Sequence, residues 1–332
     1  MKTGAFGVCC FFLLFGSQCK LVFAAECNEP DCSKAKFNYD RGNCLGPVEW
    51  SDITSCWSTC NGNRQSPINI RRTDATYSDI GSLTFNIDLQ KAFQVSSKNN
   101  GFKTSFKVSE EDIVLSDLTQ FGLSGNSFKL DGFHYHVGKN NNLTGSEHSF
   151  DGEFQSMEQH MVFYNEKYSD VKTASSNSDG LLVIGAVVRI DDTSHASSNT
   201  IETQFPGCPP SYHAALSEVL TDSFDQLEDY FDSGDSEESE ESLISKTLTL
   251  LDLLPPDLEK FYTYEGSLTT PPCSETVTWI VMKCPITVSQ AAVDKFKSLE
   301  VSSSEEVLGV HENRRPVQRG QQDTTFTLLK NF

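Results

Sequence analysis

Basic residues are scarce in this sequence: 26 Lys and Arg stand against 46 Asp and Glu in 332 residues, a formal net charge of −20. With no long basic stretch, phosphate backbones are repelled, which excludes nucleic acid as a partner and makes calcium or polycations the better charged partners. Long apolar runs are also missing. The stretch Ala5 to Phe15 is short of the ~20 residues a spanning helix needs, so no membrane span is expected. Preceded by Lys2 and followed by the small-residue site Val22-Phe23-Ala24, it reads as the core of a secretory signal peptide over residues 1–25. CxxC pairs are absent as well. Cys9, Cys10 and Cys19 belong to the leader, and eight cysteines remain: Cys27, Cys32, Cys44, Cys56, Cys60, Cys208, Cys273 and Cys284. An even number in a secreted chain argues for disulfides over a zinc knuckle, with the pairing left open. Five of them crowd into Cys27–Cys60 among Gly, Pro and Asn, which predicts a loop-rich segment with little core of its own.

What is present suffices for a packed domain: 37% hydrophobic residues and 11% aromatics, including 23 Phe. From Leu83 to Val188 short alternating or apolar runs recur (LTFNIDL, KTSFKV, GFHYHV, HMVFYN, LLVIGAVVRI) between Asn, Gly, Ser and Asp clusters. That pattern predicts β-strands joined by turns. Leu181–Val188 is apolar on both faces, as a central strand under two layers would be. VTWIVM adds a late strand, and AALSEVL and SQAAVDKFKSL predict peripheral helices. One segment departs from this: Asp222–Ser242 holds ten acidic residues and no basic one, half of the net charge. It reads as a solvated insertion, either a spacer or a low-affinity binder of calcium through its carboxylates.

Between Gly132 and Tyr168 lies a candidate metal constellation. His134 and His136 are two apart, so on a strand both rings project from one face. His160 sits in the alternating run EQHMVF, and an antiparallel neighbour would carry it to the same face. Three imidazoles make a three-ligand zinc site with a fourth position for water. Glu158, two residues before His160, would orient that ring, and Glu147 and His148 add buried-type polar groups nearby.

Taken together, FHYHVG, GSEHSFDG, EQHMVFYN and GSLTTPPCSETVTWIV resemble the α-class carbonic anhydrases, with GNRQSPINI and NRRPVQ similar to the family's start and end motifs. The segments occur in the family's order from about Phe37 to Phe326. The resemblance implies a mainly β fold with peripheral helices: a single domain over residues 37–328 on a large, mostly antiparallel central sheet, preceded by a cysteine-containing segment at 26–36. It implies a secreted zinc enzyme hydrating CO2 reversibly to bicarbonate, with His134, His136 and His160 as zinc ligands. Thr269, hydrogen-bonded to Glu147, would aim the nucleophile, and Thr270 would contact bicarbonate. Val162, Val183, Leu268, Val277 and Trp279 would form the apolar wall for CO2. Glu158 would orient His160, and the Asn313 carbonyl would orient His136. Cys60 and Cys273 would pair as in secreted members. Ester hydrolysis is a side reaction the same site would allow.

There are departures from the family. Where fast members carry a shuttle histidine after Asn-Gly, this chain has Phe102. Gly132 replaces a glutamine beside the first ligand, and Val137 replaces a tryptophan. An active enzyme of moderate rate is therefore expected. His195, His213 and His311 read as surface residues. The cysteine-rich start further resembles nacrein-type carbonic anhydrases of mollusc shell matrix, which implies bicarbonate supply for calcium carbonate biomineralisation in an extracellular matrix. The contrasting reading is an acidic calcium- or mineral-binding matrix protein on the same fold with weak or no catalysis. Asn142 heads the sole glycosylation sequon.

Overall fold

The computed structural model describes residues 28–77, 82–99, 104–109, 112–118, 121, 123, 125–138, 144–190, 204–209, 213–221, 242–302, 312–318 and 326–328. The expectations for residues 1–25, Cys27, Phe102, Asn142, His195, His311 and residues 222–241 lie outside them.

The described residues form fourteen strands: β1 (Asn69–Ile70), β2 (Ala75–Tyr77), β3 (Phe93–Asn99), β4 (Thr104–Ser109), β5 (Val114–Leu115), β6 (Phe128–Val137) and β7 (Ser149–Phe150); then β8 (Met157–Asn165), β9 (Leu181–Ile190), β10 (Ser242–Leu248), β11 (Phe261–Gly266), β12 (Val277–Met282), β13 (Ile286–Val288) and β14 (Phe326–Leu328). Twelve of them make one sheet whose main path runs β10-β3-β4-β6-β8-β9-β12-β11-β14-β2, with β13 beside β9 and β5 beside β6. Neighbours are antiparallel except β9 with β12 and β13, and β14 with β2. The large, mainly antiparallel sheet expected from the sequence is therefore the fold.

Side-chain parity explains how this sheet carries a site. On β9, Leu182, Ile184, Ala186 and Val188 join the larger apolar cluster, while Leu181, Val183 and Val187 join a second cluster on the opposite face. On β6 and β8, Phe133, Tyr135, Val137, Met157, Met161 and Phe163 point into the larger cluster. Their alternates, His134, His136, Glu158, His160 and Val162, are thereby placed on the other face. The larger cluster is covered by the helical segments expected from sequence. Leu216, Val219 and Leu220 come from residues 214–221, and Ala292, Val293 and Phe296 from helix Gln290–Ser302. That last helix begins where the Ser289 hydroxyl accepts the Ala292 N–H at 3.1 Å, satisfying one of its orphan donors.

Four expectations need correction. LTFNIDL forms no strand: only Phe85 makes a bridge, to Leu115, because its neighbours Asn86 and Asp88 turn back to bond Val114, Asp112 and Gln90. Ser242 belongs to β10, paired with Ser97, so an acidic insertion must end before it. The cysteine-rich start has a small core of its own, in which Tyr39, Trp50, Ile53, Trp57, Cys60 and Cys273 are buried together. Its cysteines are disulfides rather than metal ligands: Cys32 bonds Cys56, Cys60 bonds Cys273, and Cys44 is disulfide-bonded too. A further disulfide joins Cys208 to Cys284. Finally, His213 is buried, not on the surface. Its Nδ1 accepts the Thr287 N–H at 3.2 Å, so Nε2 carries the hydrogen and donates to the Leu254 carbonyl at 3.1 Å.

Candidate metal centre

Antiparallel pairing of β6 with β8 sets His134 directly opposite His160 and His136 opposite Glu158. Ring centroids of the three histidines are 5.1 Å (His134–His136), 5.4 Å (His134–His160) and 4.6 Å (His136–His160) apart. One nitrogen from each lies within 4.8 Å of the others. All three residues are buried, with 8%, 1% and 2% exposure for His134, His136 and His160.

Their neighbours decide which nitrogen is available. His136 Nδ1 is 2.6 Å from the Asn313 carbonyl, which can only accept, so Nδ1 carries the hydrogen and Nε2 keeps its lone pair. His160 Nε2 is 2.8 Å from Glu158 Oε1 and donates to it, leaving the Nδ1 lone pair. Both nitrogens lie near one carboxylate oxygen: Glu147 Oε2 is 3.5 Å from His136 Nε2 and 4.0 Å from His160 Nδ1. A second group, His148, Glu158 and His160, also has metal-like spacing. There the atoms hydrogen-bond one another and offer no converging lone pairs. Three imidazoles, two of them with tautomers fixed by acceptors, are the donor set that a catalytic zinc takes, with one position left over for water.

Glu158 is wholly buried and accepts four hydrogen bonds. Oε2 takes the N–H groups of Glu147 (2.9 Å) and His148 (2.7 Å), while Oε1 takes His160 and His148 Nδ1 (2.5 Å). Burial alone would raise its pKa, yet His148, by charge and hydrogen bond, and the hydrogen bond from His160 hold it well below the usual carboxylate range. His148 continues the chain through Nε2, 2.7 Å from the Tyr264 hydroxyl, which donates to Ser66 Oγ at 2.9 Å. Sequence reasoning noted His148 but missed Tyr264 and Ser66, because nothing in their local pattern marks them. Glu147 Oε1 accepts the Arg315 N–H at 2.6 Å. Burial, then the neighbouring Glu158, push Glu147 up to about 8, against the pull of Arg315 and the Thr269 hydroxyl. A divalent cation in the histidine triad would act against that rise.

A cavity of about 290 Å³ opens over the triad. His134, His160, Val162, Val183, Leu268, Thr269, Thr270 and Trp279 are among the residues that line it. Val277 does not: it is buried beneath, in the apolar cluster under Trp279. His136 and Glu147 also sit behind the lining. Ser105, Phe106, Lys107 and Asp131 line the cavity and were not foreseen, and Gly132 lies among them. Gly132 has a steric reason to be glycine. A Cβ there would lie 2.4 Å from the Phe106 carbonyl oxygen, because β4 crosses close over a bulge between Leu130 and Gly132. The threonine loop is fixed from both sides. Ser66 N–H donates to Ser267 Oγ (2.9 Å), Trp279 Nε1 to the Ser267 carbonyl (3.1 Å), and Cys273 N–H to the Thr270 carbonyl (2.8 Å). Cys273 takes the left-handed φ of 57° and is bonded to Cys60, the pairing the resemblance implied.

Comparison with known proteins agrees with this geometry. A "Nacrein-like protein" of Mytilus californianus is 31% identical over 317 residues, covering 82% of this chain and 96% of the relative. "Carbonic anhydrase 7" of Homo sapiens is 32% identical, covering 82% and 90%, and "Carbonic anhydrase 6" of Mus musculus is 29% identical, covering 77% and 70%. The eukaryotic-type carbonic anhydrase family matches residues 45–327, and with the buried triad already in place the chain belongs to that family.

Proposed function

We propose that this protein is a zinc-dependent enzyme of the extracellular space that hydrates CO2 reversibly to bicarbonate. The observation that carries the reading is the convergence of His136 Nε2 and His160 Nδ1 beside His134, with both tautomers fixed by acceptors. Zinc bound there would supply Lewis acidity, bringing the pKa of a water ligand to about 7, the value known for carbonic anhydrase itself. The chain's own residues do the rest. The Thr269 hydroxyl donates to Glu147 and so has only lone pairs left for an attacking oxygen, which orients that oxygen toward the cavity. Val162, Val183, Leu268 and Trp279 hold a substrate with little to hydrogen-bond. Thr270 and the Thr269 N–H receive bicarbonate. Among the described residues that line the cavity, the only imidazoles are those of His134 and His160, both committed to the triad, so the proton leaves to buffer and the rate is moderate.

Zinc content and CO2 hydration, measured on the wild type and on His160→Ala, test this. One zinc per chain with buffer-dependent hydration is expected in the wild type, and neither in the variant. A folded wild type without stoichiometric zinc would overturn the reading.

The disulfides support an oxidising, extracellular location. With half the net charge between Asp222 and Ser242, calcium or calcium carbonate contact in a mineralising matrix is the role that composition supports for that segment. Deleting residues 222–241 is expected to abolish calcium binding and leave hydration unchanged. Unchanged calcium binding after deletion would refute the assignment. Asn142 is the site proposed for N-glycosylation.

A further inference from the structure

A buried arginine is costly to desolvate and calls for a reason. Arg315 is 1% exposed, and burial lowers its pKa to about 10. It belongs to a short run, residues 312–318, which crosses behind the histidine triad. Two groups of that run touch the site. The Asn313 carbonyl takes the hydrogen of His136 Nδ1, and the Arg315 N–H donates to Glu147 Oε1. The placement of this backbone therefore sets both a ligand ring and the carboxylate that pairs with Thr269.

Two side chains hold the run in place. Asn313 ties it to β6, accepting the Val137 N–H at 2.7 Å and donating to the Tyr135 carbonyl at 3.1 Å. The Arg315 guanidinium ties it to the opposite wall. Its Nη1 donates to Gln65 Oε1 (2.8 Å) and the Ser66 carbonyl (2.9 Å), and its Nη2 to the Cys60 carbonyl (2.9 Å). The guanidinium carbon lies 5.6 Å from the centre of the Trp50 ring, in the small core of the cystine-rich start. A planar fork bonded to three acceptors and facing an aromatic ring fixes position as well as charge, which a lysine ammonium cannot reproduce.

We infer that Arg315 is a positioning residue, through which the cystine-rich start sets the orientation of Glu147 and His136. This rests on the proposed hydration reaction at the zinc site. Arg315 touches neither substrate nor metal.

The test compares Arg315→Lys and Arg315→Met in the full chain by zinc dissociation constant, by kcat and KM for CO2, and by near-ultraviolet circular dichroism. If charge beside Glu147 were the whole role, lysine would restore what methionine loses. The expected result is that lysine does not. Zinc affinity falls about 10- to 100-fold, kcat falls on the order of 100-fold, and KM stays within about twofold, as for an effect felt in the transition state. Wild-type zinc affinity and kcat in a folded Arg315→Lys would overturn the inference. Should that variant fail to fold, Trp50→Leu removes the ring beside the guanidinium and leaves its hydrogen bonds. A smaller loss of kcat and zinc affinity at constant KM is then expected, and a lower melting temperature with both unchanged would overturn the inference. Wild type lacking zinc or hydration would instead refute the functional reading on which this stands.

Discussion

No cysteine lies in β6, β8, β9 or β12, the strands beneath the cavity, whereas the cystine-rich start carries Cys32–Cys56, the disulfide-bonded Cys44 and, through Cys60–Cys273, its link to the threonine loop. The floor is held by burial on both faces and by the chain of hydrogen bonds that runs from His160 through Glu158, His148 and Tyr264 to Ser66. The start contributes five buried residues, Trp50 and Trp57 among them, to a cluster completed by Cys273, too few for independent stability, and covalent closure supplies the remainder. Floor and rim thus differ in what each loses when disturbed. A fault in the floor is expected to show first in the chemistry, and a fault in the rim in the stability.

The largest effect expected on the floor comes from Glu158→Gln. An amide cannot accept all four donors that Glu158 satisfies, so zinc affinity and hydration are expected to fall about 10- to 100-fold. Equilibrium dialysis against a chelator measures the affinity, and wild-type zinc retention would break the contrast. On the rim, the chain-entropy model assigns about 5 kcal/mol to Cys60–Cys273 and about 3 kcal/mol to Cys32–Cys56, from sequence separations of 213 and 24. Denaturant midpoints of the paired Cys→Ser variants should follow that order. Only the first pair is expected to lower kcat as well, since Cys273 closes the threonine loop and the Cys60 carbonyl holds Arg315.

Alkali probes the sheet. Burial pushes Tyr262 up to about 12 and holds Tyr135 and Tyr264 well above the ordinary value of 10.0. The neutral phenol is favoured in the fold, so this stability is intact below pH 10 and is lost as pH rises through the folded-state values. For Tyr262 the loss is about 2–3 kcal/mol. Phenolate absorbance should show these three rings ionising late, together with unfolding, and ionisation of all nine tyrosines near pH 10 in a folded chain would contradict the burial. The smallest effect expected is a several-fold rise in turnover for Phe102→His, seen only in weak buffer, where proton transfer limits the rate. Equal turnover in weak and strong buffer for the wild type would remove its basis.

The centre of the molecule was legible because each residue there obeys one rule at once. His134 and His136 alternate with Phe133, Tyr135 and Val137, and LLVIGAVV can only be buried on both sides. The periphery was not legible. β3 and β10 (FQVSSKN, SLISKTL) mix polar with apolar residues, their alternation is short (Phe93 and Val95 about Gln94), and their register shifts between Leu243 and Thr247, while LTFNIDL alternates without becoming a strand. His213 carries no periodic signal, so its role between Thr287 and Leu254 appears only in three dimensions. The supports of the site were hidden for a similar reason. Asn313 and Arg315 act through backbone groups more than 160 residues from their partners His136 and Glu147, and a backbone amide has no sequence signature.

Gly132 carries a consequence for anyone redesigning this protein. A glutamine beside the first ligand cannot simply be put back, since the Phe106 carbonyl of β4 occupies the room its side chain would need. Engineering that contact would require remodelling the Phe106 strand first, so the order of changes matters: on this wall the two strands have to be rebuilt together.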